Sequence, residues 1–272
     1  MTGPDRFQIE PWPTKNRAWL KTLGHTVMDM IWPPICCTCS RALPLTDGPA
    51  EAGQYFCPEC LNTLELRPPS SCPLCGRPYF HTNSHLCGDC LSSPPPWNTA
   101  AWAMVYQGTA ARSIALLKYH GDLNQIPALA ALGRACLPWP AYTGDDEASI
   151  IHDLIIPMPI SPKRLNERGF NQAEELVATI YRPWRERIET RALIRKDDGR
   201  AHQATLSRTL RLKAIRNCFE VTGAVSGAAV LLFDDVLTTG ATAGEATRVL
   251  RKAGAARVDV ATIARTVLQS WR

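Results

Sequence analysis

The chain has 272 residues, with 30 Lys and Arg against 25 Asp and Glu and a formal charge of +5. Its hydrophobic content of 45% is ordinary for a globular protein, the length suits one α/β domain plus a smaller unit, and no apolar run reaches the ~20 residues of a membrane helix. So mild a charge does not by itself imply nucleic acid.

Residues 1–15 read as a disordered lead, polar and proline-rich, with no apolar core of a signal peptide behind them, so a cytoplasmic location is expected. In a reducing compartment eleven cysteines point to metal rather than disulfides. Asn16 to Ile31 carries apolar residues at helical spacing and stops at Trp32-Pro33-Pro34, so the lead and one helix occupy residues 1–35.

Residues 36–93 hold four C-x-x-C pairs, Cys36/Cys39, Cys57/Cys60, Cys72/Cys75 and Cys87/Cys90, separated by 17, 11 and 11 residues. Such a pair puts both sulfurs on one side of a tight turn, and two pairs complete a tetrahedral four-thiolate zinc site. Eight thiolates make two Zn²⁺ sites. Spacing allows sequential or interleaved pairing alike. Gly76 and Gly88 suit the turns, Cys37 falls at the wrong spacing, and His81 or His85 is an alternative ligand that four complete pairs make unnecessary. With every position filled by protein the metal is structural, and it supplies much of the folding energy of a segment with little core.

Pro94-Pro95-Pro96 reads as a stiff linker, and residues 97–272 as the larger domain. There the pattern predicts a strand over Ala100–Tyr106, helices over Thr109–Tyr119 and Leu123–Leu137, and a polar loop over Pro138–Ser149. A strand follows over Ile150–Ile156 and ends at Pro157-Met158-Pro159. The next stretch, Ser161 to Gln172, reads as a loop at the sheet edge carrying Lys163, Arg164 and Arg168, before a helix over Ala173–Tyr181. Arginine forks match phosphate oxygens; a solvated basic face is the plainer reading. Arg182 to Arg216 holds eleven basic residues against four acids, a landing surface for phosphates or nucleic acid, with Lys196–Arg200 as a candidate flap.

The chain is organised around Ala228–Thr242. An apolar run to Phe233 reads as a strand buried on both faces, and Asp234 and Asp235 follow where that strand should end. Two unpaired charges are costly to bury, so the pair should face a ligand, a cation or water. Val236, Leu237, Thr238, Thr239, Gly240, Ala241 and Thr242 then form a loop of hydroxyls and close-set backbone N–H groups that suits a phosphate. A helix from about Thr242 to Gly254 and a strand over Val258–Ala264 complete a strand–loop–helix–strand unit, with an anion site at the helix N-terminus.

Four apolar residues, two acids, two further residues and T-T-G-x-T resemble the phosphoribosyl-pyrophosphate (PRPP) loop of type I phosphoribosyltransferases. A strand ending in P-x-P, then Lys163-Arg164, Arg168-Gly169-Phe170-Asn171-Gln172, and later Arg195, Gln203, Leu206, Arg211 or Arg216, Asn217 and Phe219, resembles the ComF family, also called the GntX family. The likeness covers roughly residues 20–267. His202, where members often carry a small or hydroxyl residue, and the acidic insert Gly144–Glu147 depart from the pattern without touching the core motif.

The resemblance implies a type I phosphoribosyltransferase fold behind a zinc-ribbon domain, and PRPP bound with Mg²⁺. Thr238–Thr242 would take the 5′-phosphate. Asp234 and Asp235 would take the ribose hydroxyls directly or through the metal, and Arg164, Arg168 and Lys163 the departing pyrophosphate. A nitrogen nucleophile would then attack C1. It also implies a link to competence for DNA uptake, through DNA or a partner protein; in the alternative reading the chain binds PRPP or a nucleotide without catalysis. Against a direct nucleic-acid role for the zinc segment, Cys36–Cys90 carries three arginines against five acids. The acceptor and the oligomeric state stay open.

Overall fold

A computed structural model describes residues 33–43, 54–79, 85–139, 150–196 and 217–267. The expected helix over Asn16–Ile31, His81, the flap beyond Lys196 and most of the basic stretch before Asn217 lie outside the described residues.

Two cysteine knuckles are built alike. In each, the first cysteine's amide donates to a carbonyl five residues on, Cys36 to Arg41 and Cys72 to Arg77, both at 2.7 Å. The residue that turns the chain has positive φ, Ser40 at 64° and Gly76 at 72°. Cys57 and Cys87 cap two short helices, α1 (Pro58–Asn62) and α2 (Gly88–Ser92). Gly88 therefore opens a helix instead of making a tight turn, and a Cβ there would meet nothing within 4 Å. The sulfurs of Cys36, Cys39, Cys57 and Cys60 lie within 4.8 Å of one another, as do those of Cys72, Cys75, Cys87 and Cys90. Of the two pairings the spacing allowed, the structure has the sequential one. Four converging thiols fit structural zinc in each. Cys37 belongs to neither set; its carbonyl accepts from Gln125 Nε2 at 2.5 Å.

The larger unit is a parallel sheet of four strands in the order β1 (Thr99–Val105), β6 (Arg257–Arg265), β5 (Ala229–Leu237), β2 (Leu154–Pro157). Its strands are apolar on both faces because helices flank it: α3 (Gly108–His120), α4 (Gln125–Cys136), α6 (Gln172–Ile180) and α7 (Ala241–Lys252). Helix α4 packs on α3, α6 and β1, α6 on β2 and β5, and α7 on β5 and β6. This is the α/β class expected, a parallel sheet flanked by helices with a small N-terminal zinc-ribbon unit. A separate antiparallel pair joins β3 (Leu193–Arg195) to β4 (Phe219–Val221).

Two expectations need correcting. Ser161 to Gln172 is not a loop: Ser161 caps a short helix, α5 (Pro162–Arg168), accepting the Arg164 N–H, with Pro162 at its first position. Proline is pre-shaped for that position, and serine supplies the acceptor that the first turn lacks. And β5 does not end at Phe233. It runs through both acids to Leu237, because β6 beside it continues to Arg265 and pairs with it throughout.

The zinc knuckles are docked on the sheet. Trp97 Nε1 donates to the Leu74 carbonyl at 2.8 Å, Trp102 Nε1 to that of Gly76 at 2.7 Å, and Arg265 Nη1 to that of Cys75. Three successive carbonyls of the second knuckle are thus held by the larger unit. The first knuckle is tied to α3 by Thr38 to Ser113 at 2.8 Å. Among the described residues no helix is long and apolar enough to cross a membrane.

Candidate functional site

Strand β2 stops at Pro157, level with Phe233, whereas β6 continues to the level of Leu237. Asp234 to Leu237 therefore have a strand neighbour on one side only, at the C-terminal edge of the sheet where ligands bind in this architecture. Asp235 is 3% exposed. Its Oδ2 lies 2.6 Å from Lys118 Nζ, in the last turn of α3, and the lysine side chain is itself mostly buried. Asp234 Oδ1 accepts the Asp235 N–H at 2.9 Å.

Burial, and then the Asp235 charge, push the Asp234 carboxyl up to about 8, while Lys118 and the Asp235 amide act in the opposite direction. A carboxyl pushed so far by burial beside a like charge marks a candidate functional residue. Asp235 is paired with a cation, while burial beside a like charge disfavours the charged form of Asp234.

The loop after Leu237 puts Thr238 and Thr239 at the surface and turns at Gly240, whose φ is +76°. Gly240 caps α7, its carbonyl accepting from Gly244 N at 2.7 Å, and Thr239 Oγ1 accepts from the Ala241 amide. The first turn of a helix leaves N–H groups with no intrahelical acceptor. With the positive end of the dipole and two exposed threonines, it suits a phosphate. A Cβ on Gly240 would stand 2.7 Å from Trp97 Cη2. Gly240→Ala is therefore expected to cost about 1–3 kcal/mol, from the strained φ and the ring contact together, read as a lower thermal midpoint; an unchanged midpoint would show that the loop can re-form.

Lys163, Arg164 and Arg168 stand on α5, which follows β2 at the same sheet edge. Arg164 is exposed, Lys163 Nζ lies 3.9 Å from Glu167, and Arg168 bonds Gln172 at 3.0 Å with its guanidinium 5.7 Å from the Tyr119 ring centre. The α5 basic group and the α3 end carrying Lys118 thus meet through Tyr119 and Arg168. Lys118 was missed in the sequence. Its one signal is a lysine inside an apolar helix just before Gly121, and its partner is 117 positions away.

Beside the loop lies a cavity of about 640 Å³, walled by Leu237–Gly240 on one side and by the second zinc ribbon on the other.

Residues 27–91 match the Double zinc ribbon domain family. The chain is 34% identical over 197 residues to the DNA utilization protein YhgH of Escherichia coli, covering 72% of this chain and 84% of that one. Its Salmonella typhimurium counterpart is 30% identical over 235 residues, 86% of this chain and 98% of that one. Competence protein ComFC of Bacillus subtilis is 29% identical, covering 78% and 85%. Among solved structures, the allosteric regulatory enzyme of purine biosynthesis covers 55% of this chain and 30% of its own at 21% identity, with a TM-score of 0.33.

Proposed function

The chain belongs to the ComF/GntX family, and from that premise we propose that it binds PRPP with Mg²⁺ at Asp234, Asp235 and Thr238–Thr242, and transfers phosphoribose to a nitrogen nucleophile. The observation that carries this reading is the acid pair, its second member held by Lys118, directly ahead of a threonine–glycine turn at a helix N-terminus.

Thr238–Thr242 take the 5′-phosphate through hydroxyls and first-turn amides. Asp235, fixed by Lys118, and Asp234 face the ribose hydroxyls, and they are the oxygen donors that would hold Mg²⁺, a hard cation that prefers such ligands and keeps several waters. When bound, the metal would supply charge neutralisation for the departing pyrophosphate. Lys163, Arg164 and Arg168 offer the departing pyrophosphate its positive charge. Loss of pyrophosphate leaves positive charge at C1, which carboxylates beneath the ribose stabilise. In an assay of pyrophosphate release from PRPP with ammonia and simple amines as acceptors, turnover is expected with at least one acceptor. PRPP binding without release by any of them would remove the transferase step and leave a sensor.

The relatives' names favour a second component, a role in handling DNA. The second reading is an accessory protein that binds PRPP or a nucleotide and contacts DNA or a partner protein. Neutralising phosphates releases counterions, so direct DNA binding by the full chain should weaken steeply with salt. The sequence Cys36–Cys90 carries three arginines against five acids, so we expect any such salt-sensitive binding to persist after charge reversal at Arg41 and Arg67; loss of binding in that variant would put the DNA surface on the ribbons.

A further inference from the structure

Trp97 touches both units. It follows Pro94-Pro95-Pro96 and is 7% exposed. Its pyrrole N–H donates to the Leu74 carbonyl at 2.8 Å. Leu74 lies inside a C-x-x-C turn, between Cys72 and Cys75 of the second four-thiol set. The opposite edge of the ring lies on the phosphate turn. A Cβ on Gly240 would stand 2.7 Å from Cη2, 3.6 Å from Cζ3 and 3.7 Å from Cζ2, all atoms of the benzo ring. A Cβ on Gly244, early in α7, would meet Pro96 at 3.7 Å and Trp97 Cζ3 at 3.8 Å. The residue after the tryptophan is tied to β6: Asn98 N donates to the Val258 carbonyl at 2.8 Å, and Asn98 Oδ1 accepts from Val258 N at 3.0 Å.

One rigid side chain thus spans from a metal knuckle to the phosphate turn. Gly240 has a φ of +76° and no side chain of its own to hold it there, and glycine has more backbone freedom to lose than any other residue. The indole edge restricts that freedom by filling the space beside the turn. The other end of the ring is held by its hydrogen bond to the ribbon. If the knuckle opened, the buried N–H would lose its acceptor at a cost of about 1–3 kcal/mol, and the ring could swing off Gly240. Trp102 is the contrast. It donates to Gly76 of the same knuckle at 2.7 Å, yet its ring supplies none of the three atoms nearest a Cβ on Gly240 or on Gly244.

We propose that Trp97 is a positioning residue for the phosphate turn and couples that turn to the metal of the second ribbon. Zinc in the ribbon holds the indole against Gly240, and a 5′-phosphate in the turn tightens zinc binding in return. The inference rests on the reading of Thr238–Thr242 as the 5′-phosphate loop. Such coupling is reciprocal: each ligand raises the affinity for the other by the same factor.

The test uses the full zinc-loaded chain. Its zinc content is measured against a graded zinc-selective chelator, with and without saturating PRPP and Mg²⁺, and PRPP affinity is measured by calorimetry. PRPP is expected to raise the chelator concentration that removes one of the two zinc ions by about fivefold or more. This first comparison needs no variant. Trp97→Phe, which keeps an aromatic ring and removes the N–H, should abolish the protection. Trp97→Ala should weaken PRPP binding at least about tenfold. Trp102→Phe, which takes a donor from the same knuckle, should leave PRPP affinity within about twofold and the protection intact. PRPP binding without zinc protection in the unaltered chain overturns the coupling alone. So does protection that survives Trp97→Phe, or a loss of PRPP affinity in Trp102→Phe equal to that in Trp97→Ala. Failure of PRPP to bind the unaltered chain overturns the loop reading beneath it as well.

Discussion

Asp234→Asn is expected to make the protein more stable at pH 8 and to remove Mg²⁺-dependent ligand binding. An unfolded aspartate titrates near 3.9, and in the fold burial and the Asp235 charge raise Asp234 to about 8. Between those values the folded state binds one proton more than the unfolded state, so stability falls as pH rises through that window. The shift corresponds to a few kcal/mol. Asparagine carries no such charge, so the variant's thermal midpoint should exceed that of the unaltered chain at pH 8 and converge with it near pH 4. The same carboxylate releases its proton when a cation binds, so affinity for Mg²⁺ and its ligand should rise with pH up to about 8. A variant less stable at pH 8, or one that still binds with Mg²⁺, would contradict the assignment. A group that weakens the fold at working pH is what a ligand-facing carboxylate would be.

Cys72→Ser is expected to lower bound zinc from two ions per chain to one and to damage more than the ribbon. Structural zinc in small domains contributes about 10–16 kcal/mol of apparent binding energy, and this ribbon has little core besides its own cysteines. Its knuckle also covers Trp102, which is fully buried and donates to Gly76. Loss of the metal should therefore expose Trp102 and Trp97, read as a red shift in tryptophan emission, with a marked drop in thermal midpoint. The second ribbon also walls the cavity beside the phosphate loop, so this variant should weaken ligand binding more than Cys36→Ser, whose ribbon leans on α3 and α4 through Ser113 and Gln125. Equal effects of the two variants would show that the ribbons act as one unit.

Much of the site could be read in the chain. T-T-G-x-T and the acid pair declare themselves because only short, local geometry is involved: a turn with positive φ, hydroxyls, and a helix start. The zinc ligands declare themselves for the same reason, although their pairing needed the fold. What stayed hidden depends on contacts between distant residues. The extent of β5 was underestimated because carboxylates rarely fill strand interiors, and only β6, pairing through Asp234 and Leu237, explains why they do here. Ser161-Pro162 is a helix-start signal that was passed over among basic residues taken for a loop. Lys118 pairs with Asp235 across 117 residues, and a lysine in an apolar helix before Gly121 does not name that partner. The buried pair of Asp259 with His152 at 2.8 Å was equally invisible, since the two residues meet only through the sheet.

The central claim is that the acid pair and the threonine loop form one ligand site at the sheet edge. Its most direct test is calorimetric titration of PRPP into the zinc-loaded chain with and without Mg²⁺, repeated on the Asp234→Asn, Asp235→Asn double variant. The predicted result is binding of PRPP that requires Mg²⁺ and disappears in a double variant still folded and still holding two zinc ions. Binding that is indifferent to Mg²⁺ and intact in that variant would contradict the claim.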